Sequence, residues 1–267
     1  MKSNNRYLGA LILLPLIVFL FLGGVWLKYA NLVLGGLAMY EFYKVSKLKN
    51  IKPMSIIAYI MLVVYYITGN NFTILSYIII IGAFVLLMLP ILNIKYNFID
   101  VAITLLGFIY AGIFFSFITL INQKPGGEFL VWLPLIASWG CDILAYYSGK
   151  HLGKHKLCPR VSPKKTVEGS IGGILGSTIV CGIYGIVIYQ FSPEFSMLNY
   201  FIIGALCGVF CQFGDLVASS VKRYVGVKDY SNLIPGHGGI LDRFDSVLFA
   251  SVVVFVYLTI ATIIIHL

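Results

Sequence analysis

The sequence predicts an all-α fold, a polytopic integral membrane protein of about nine transmembrane helices with its N-terminus in the cytoplasm. Composition is the first reason. Of 267 residues, 60% are hydrophobic and 11% are charged, and the mean hydropathy is +0.94. A soluble domain carries about 25% charged residues, so this chain cannot cover itself with a polar shell. The second reason is the recurrence of apolar stretches near the length of roughly 20 residues that a helix needs to cross lipid. The third is the placement of the basic residues, nearly all of which fall on one side of that path.

In chain order the expected spans are Leu8–Val25, Asn31–Lys44, Met54–Thr68, Phe72–Leu92, Phe98–Ile121, Phe129–Ser148, Ser170–Gln190, Tyr200–Ser220 and Ile240–His266. The second and third are short. Helix rather than strand follows because lipid offers the backbone no hydrogen-bond partner, and strict alternation is absent. The opening run imitates a secretory signal. Its apolar stretch is too long and no A-x-A site follows, so it is expected to be retained as the first span. With nine crossings, every Lys and Arg except Lys28 and Lys124 falls on the cytoplasmic side, the sign the positive-inside rule requires. The net charge of +9 then belongs to a cytoplasmic surface that suits anionic headgroups; no nucleic-acid partner is expected. Residues 1–128 read as about five scaffold spans, and residues 129–267 as a catalytic region of about four helices with two basic cytoplasmic loops. The five cysteines, odd in number and mostly in apolar settings, read as packing residues.

The acids carry the chemistry. Asp142, Asp215, Asp242 and Asp245 lie within or at the ends of apolar spans, toward the cytoplasmic side. A charged carboxylate at mid-bilayer costs about 2.5–3.5 kcal/mol on insertion scales, less near the interface, so such groups normally face a partner, a cation or water. Asp242 and Asp245 flank Arg243 and share one helix face; two like charges that close repel unless a cation sits between them. Mg²⁺ is often held by one or two carboxylates plus substrate phosphates. The plainer reading makes Asp242 a favourable first-turn acid and pairs Asp245 with a lysine. Asp215, Ser219 and Lys222 place acid, hydroxyl and base on one face. As an intrahelical ladder they would gain roughly a few tenths of a kcal/mol, little against the cost of burying the acid. Asp142 either supports a site or faces water with Lys150.

Two connectors are rich in phosphate-binding groups. In "IPGHGGI", Gly236, Gly238 and Gly239 free the backbone for positive φ, so that its amides could form an anion nest at the start of the last helix. His237 could donate to a phosphate, and Lys222, Arg223 and Lys228 lie close in sequence. The plainer reading is a glycine turn between helices. In "GKHLGKHKLCPRVSPKKTVEGSIGG", Ser162–Pro163 reads as an N-cap followed by a first-turn proline. Lys164 and Lys165 would then sit at a helix N-terminus, where cations are unfavourable unless an anion joins them. Attraction to the lipid surface is the competing explanation. His151 and His155 have the spacing of a metal pair, but Gly153 interrupts the helix, which argues against zinc. Together the pieces describe a pocket for phosphoryl or nucleotidyl transfer to a lipid, just inside the cytoplasmic interface.

The stretch from Ser219 to Asp245 resembles the signature of the phosphatidate cytidylyltransferases, or CDP-diacylglycerol synthases. It reads "SSVKR", "YVGV", "KDYS", "NL" and "IPGHGGILDRFD", and every fixed position of the family pattern is filled. "SPKKTVEGSIGG" resembles the family's second conserved stretch, with Val167 where an aromatic is usual. The resemblance implies a membrane nucleotidyltransferase of phospholipid biosynthesis that makes CDP-diacylglycerol and pyrophosphate from CTP and phosphatidate. It further implies Mg²⁺, K⁺ as a second ion, and a homodimer. On this reading Asp215, Asp242 and Asp245 ligate metal. Lys222, Arg223, Lys228, His237 and Arg243 neutralise phosphates, Lys164 and Lys165 reach the triphosphate or the lipid headgroup, and Asp142 supports metal or nucleotide. Ser219 and the three glycines line the substrate. The short chain suits a bacterial plasma membrane with the active site facing the cytoplasm. Two other readings stay open: another CTP-dependent lipid phosphotransferase such as a polyprenol kinase, and an ion-coupled transporter, since intramembrane acids often mark ion paths.

Overall fold

A computed structural model describes residues 17–191 and 195–265. The fold is mostly helical (77%), and six of its helices are long and apolar enough to cross a membrane. These are Phe72–Leu92, Phe98–Asn122, Gly127–Leu152, Val167–Ile188, Met197–Val225 and Leu241–Ile263. They coincide with the last six expected spans to within a few residues. Half of the expected first span, Leu8–Val25, lies outside the described residues. The second and third expected spans are helices, Gly24–Ser46 (α1) and Ser55–Ile67 (α2), but neither is among the six. At 1.5 Å per residue, the 13 residues of α2 reach only about 20 Å, short of the roughly 30 Å hydrocarbon layer. α1 is long enough but carries Lys28, Asn31, Glu41 and Lys44 along its length.

The chain forms two compact units. One takes the residues up to Thr119 together with Tyr224–Arg243; the other takes Leu120–Arg223 and the chain from Phe244 onward. In the first unit α1 and α2 are followed by α3 (Phe72–Leu92) and α4 (Phe98–Gly107). α4 passes through a wide π turn, Phe108–Ile113, into α5 (Phe114–Asn122). α1 packs on the π turn so closely that a Cβ on Gly35 would lie 3.0 Å from the Gly112 carbonyl oxygen. Several buried polar groups inside this unit are paired, which offsets the cost of taking them out of water. Asn31 donates to Thr119 Oγ1 at 2.9 Å, and Tyr43 donates to the Thr104 carbonyl at 2.7 Å. Asp100, with no solvent exposure, closes a capping box with Asn97 and accepts the Lys52 amide at 2.7 Å.

The second unit holds a short turn of helix, α6 (Gly127–Leu130), then α7 (Leu133–Leu152), a hairpin of β1 (Lys156–Cys158) and β2 (Ser162–Thr166), and α8 (Val167–Ile188). α9 is Met197–Val225 and α10 is Leu241–Ile265. α7 and α8 run backbone against backbone. A Cβ on Gly140 would sit 3.1 Å from the Gly176 carbonyl oxygen, and one on Gly169 would sit 3.2 Å from the Gly149 Cα. Small residues permit this approach, and dispersion and close packing hold it where lipid supplies no hydrophobic drive. All five cysteines are free thiols, and four of them are buried.

The hairpin corrects one expectation. Ser162–Pro163 does not open a helix; both residues belong to β2, antiparallel to β1, with Cys158 opposite Ser162 and Lys156 opposite Thr166. Thr166 is the true N-cap of α8, its Oγ1 accepting the Gly169 amide at 3.1 Å. Two sequence features compete to start this helix. Thr166 wins because Glu168, in the first turn, also receives the amides of Lys154 (3.0 Å) and His155 (3.3 Å) and so pins the base of the hairpin. Lys164 and Lys165 therefore lie on a strand.

Candidate active site

In the second unit, α7, β2, α8 and α9 enclose a cavity of about 330 Å³. Asp142 and Lys150 on α7, Lys164 and Lys165 on β2, Ser170 on α8 and Gln212 on α9 line it. The hairpin brings Lys164 and Lys165 into the lining of the cavity that Asp142 shares. Lys165 forms an ion pair with Asp215 of α9, both side chains being only partly exposed. Ser219, one turn further along α9, donates to Asp215 Oδ1 at 3.5 Å. Gln212 anchors the neighbouring turn through the Gly208 carbonyl (2.7 Å) and the Ser170 carbonyl (3.1 Å). Arg223 Nε donates to the Val161 carbonyl at 3.4 Å, tying the end of α9 to the turn of the hairpin.

Asp245, on α10, is 8% exposed, as is Lys222. Its Oδ1 accepts the Ser246 amide at 2.7 Å. The charges of Asp215, Lys222 and Asp142 all act on its carboxylate. The second unit thus gathers Asp142, Lys164, Lys165, Asp215, Ser219, Lys222, Arg223 and Asp245. Three carboxylates and three lysines in one unit form a setting whose acid oxygens suit a hard divalent cation. Among the described residues no three His, Cys, Asp or Glu side chains converge as a complete metal-binding group. An ion held by Asp215 and Asp245 would draw its remaining ligands from water and phosphate oxygens, the habit of Mg²⁺. The histidine pair does not form a site: His155 binds Glu168 at 2.6 Å, and His151 stacks on Tyr147.

The remaining expected residues, Lys228, Gly236, His237, Gly238, Gly239, Asp242 and Arg243, belong to the first unit. Gly236 and Gly238 take positive φ (76° and 84°), and Gly239 does not. The amides that follow are already used. Asp242 Oδ2 accepts the Tyr230 amide at 2.7 Å and the Gly239 amide at 3.0 Å. The Ile240 and Leu241 amides donate to Glu41, each at 2.9 Å. The positive end of α10 is thereby met by carboxylates of the chain itself, which narrows the expected phosphate nest to the turn before Gly239. His237 sits in that turn, its amide donating to the Ile234 carbonyl at 2.9 Å.

Sequence reasoning missed Glu41, Thr166, Gln212 and Ser170. Glu41 carried a usable signal. It is an acid inside an apolar segment, the rule that singled out the four aspartates, but it was passed over in "AMYEFYKVS".

Comparison with known proteins agrees with the motif. Residues 4–261 match the model of the cytidylyltransferase family. The phosphatidate cytidylyltransferase of Bacillus subtilis (strain 168) is 37% identical over 259 residues, covering 93% of this chain and 94% of that protein. That of Staphylococcus haemolyticus is 33% identical over 255 residues, with the same coverage of 93% and 94%. That of Staphylococcus saprophyticus is 41% identical over 155 residues, 58% of each chain. With a family match that runs nearly end to end and relatives aligned along almost their whole length, this chain belongs to the cytidylyltransferase family.

Proposed function

We propose that the protein is a CTP:phosphatidate cytidylyltransferase. A phosphatidate phosphate oxygen attacks the α-phosphorus of CTP, the bond from that phosphorus to the bridging oxygen breaks, and pyrophosphate leaves with CDP-diacylglycerol as product. The observation that carries this reading is the cavity in which Lys164, Lys165 and Asp142 meet, linked to Asp215 through Lys165. The near-complete alignment with relatives bearing that name supports it. A phosphate monoester is already largely ionised near pH 7, so the protein needs no strong base. Its task is to position two anions and offset their repulsion. We assign Lys164 and Lys165 to substrate phosphates. Lys222, Arg223, Lys228, His237 and Arg243 would neutralise further phosphate charge. Asp142 would orient the lysines, and Ser219 would steady Asp215. Asp215 and Asp245 would hold Mg²⁺, which supplies charge neutralisation for the phosphates. Asp242, with one oxygen given to two amides, would add a ligand only through its other oxygen. K⁺ as a second ion and a homodimer belong to the same proposal.

We also propose a nine-crossing path in a bacterial plasma membrane, with α1, α2 and the Leu8–Val25 segment added to the six long helices. The N-terminus and the active site would face the cytoplasm. Support comes from the charge distribution, which leaves only Lys28 and Lys124 outside. The deciding assay is pyrophosphate release by purified protein, with CTP against ATP, with and without phosphatidate and Mg²⁺, and the lipid product weighed by mass. Release that requires CTP and phosphatidate together is expected. Formation of CDP in place of pyrophosphate would make the protein a kinase, and vesicle uptake without CTP would make it a transporter.

A further inference from the structure

The geometry points to Glu41 as a positioning residue for the reaction, an internal anion that fixes the turn from Ser231 to Leu241 and the start of α10; this rests on the function proposed above. Glu41 is 1% exposed. Its Oε1 accepts from Ser231 Oγ at 2.6 Å and from the Ile240 amide at 2.9 Å, and its Oε2 accepts the Leu241 amide at 2.9 Å. The first amides of a helix have no intrahelical partner and collect at its positive end. Most helices meet this need with a local Ser, Thr, Asp or Asn at the N-cap. Here the residue before α10 is Ile240, and the acceptor comes from α1, 199 residues earlier in the chain. A carboxylate buried for a generic cap would be a wasteful choice when one local side chain would serve. What the distant acid adds is a fixed position for the whole turn, because it grips the turn at both ends, Ser231 and Leu241.

The turn is built around that grip. A Cβ on Gly239 would fall 2.5 Å from Glu41 Oε2, so any side chain there would push the carboxylate from its place. Asp242 closes the turn from the other direction through the Tyr230 and Gly239 amides. The turn carries His237, and α10 carries Asp242, Arg243 and, one turn on, Asp245. Loosening the origin of α10 would therefore displace groups assigned to the phosphates and the ion. Displacement by about 1 Å can cost on the order of 10²-fold in rate.

The test uses the full chain in detergent with three variants. Glu41→Ala removes both acceptor oxygens. Glu41→Gln keeps one acceptor but turns an NH₂ toward a donor. Glu41→Asp keeps both acceptors at shorter reach. The expected result is a kcat lower by about 10²-fold in Glu41→Ala with the KM for CTP little moved, and partial recovery in Glu41→Asp but not in Glu41→Gln. Amide hydrogen exchange should speed by about tenfold or more in the peptide from Ile234 to Phe244 and not in α3. Ser231→Ala, which removes one bond of the three, keeps the test alive if Glu41→Ala fails to fold; it should lower kcat by about tenfold or less with the same local exchange signature. Unchanged kcat in Glu41→Ala, or faster exchange spread evenly over the chain, would overturn the assignment. If the wild type shows no CTP-dependent turnover, the functional reading falls. The exchange data then decide on the clamp alone: local acceleration upholds it, and none refutes it.

Discussion

The two units each bury carboxylates, and they use them in opposite ways. In the first, Glu41 and Asp242 end on backbone amides, four between them, with Ser231 as a fifth donor. In the second, Asp215 ends on Lys165 and Ser219, and Asp245 faces the charges of Asp215, Lys222 and Asp142. Glu41, with both oxygens on donors of the loop, cannot be recruited by an ion without undoing that loop, and Asp242 has only its second oxygen to offer. An acid paired with lysine side chains, with other acids near, can exchange partners when a cation or a phosphate arrives. The surroundings of a carboxylate, more than its burial, set apart an acid that holds a loop in shape from one free to serve the ligand role proposed above.

The largest effect should come from the ligand-handling side. Asp245→Ala removes a carboxylate assigned to the ion and should lower kcat by about 10²–10³-fold, the range for removing one preorganised electrostatic group. Labelled CTP incorporation into chloroform-soluble lipid measures it, with Lys124→Ala as the comparison. Lys124 lies over the Phe255 ring and has no assigned role, so Lys124→Ala should retain activity. Equal activity in the two variants would erase the contrast between the acids. Next in size is Lys165→Ala, which leaves Asp215 without its ion-pair partner and one cation fewer in the cavity. Its KM for CTP should rise by about tenfold, because Lys165 offsets phosphate charge in the ground state as well as in the transition state. The double variant with Asp215→Ala should lose less than the product of the two single losses, since the pair acts as one unit. Full multiplicativity would mean that the ion pair has no part in substrate binding.

Much of this was legible in the sequence, and the failures have physical causes. The six long helices follow from apolar run length, because a backbone in lipid has few alternatives to helix. The cost of placing an acid in an apolar run singled out Asp215 and Asp245, and the glycines of the turn were legible by the positive φ at Gly236 and Gly238. The hairpin was not legible. Ser162–Pro163 is as good a helix start as Thr166, and only the long-range grip of Glu168 on Lys154 and His155 decides between them. The partners of Glu41 and Asp100 were hidden for a related reason. Each acid satisfies backbone donors distant in sequence, Lys52 for Asp100 and Leu241 for Glu41, and local pattern holds no record of such partners.

The smallest effect should fall on Thr166, where the cavity and the fold can be told apart. Its side chain lines the cavity, but its hydroxyl oxygen is spent on the Gly169 amide at the start of α8. Loss of an N-cap hydroxyl typically costs about 1 kcal/mol of stability. Thr166→Ala should therefore lower the melting temperature in detergent while changing kcat by less than about tenfold, since no assigned phosphate ligand is removed. Thr166→Ser keeps the oxygen and should restore most of the lost stability. It should do so even though it gives up the methyl, whose carbon would lie 2.9 Å from a Cβ placed on Gly153. If serine restored stability but turnover stayed far below wild type, the methyl would be shaping the cavity wall. Thr166 would then belong with Lys164 and Lys165 among the residues that receive substrate.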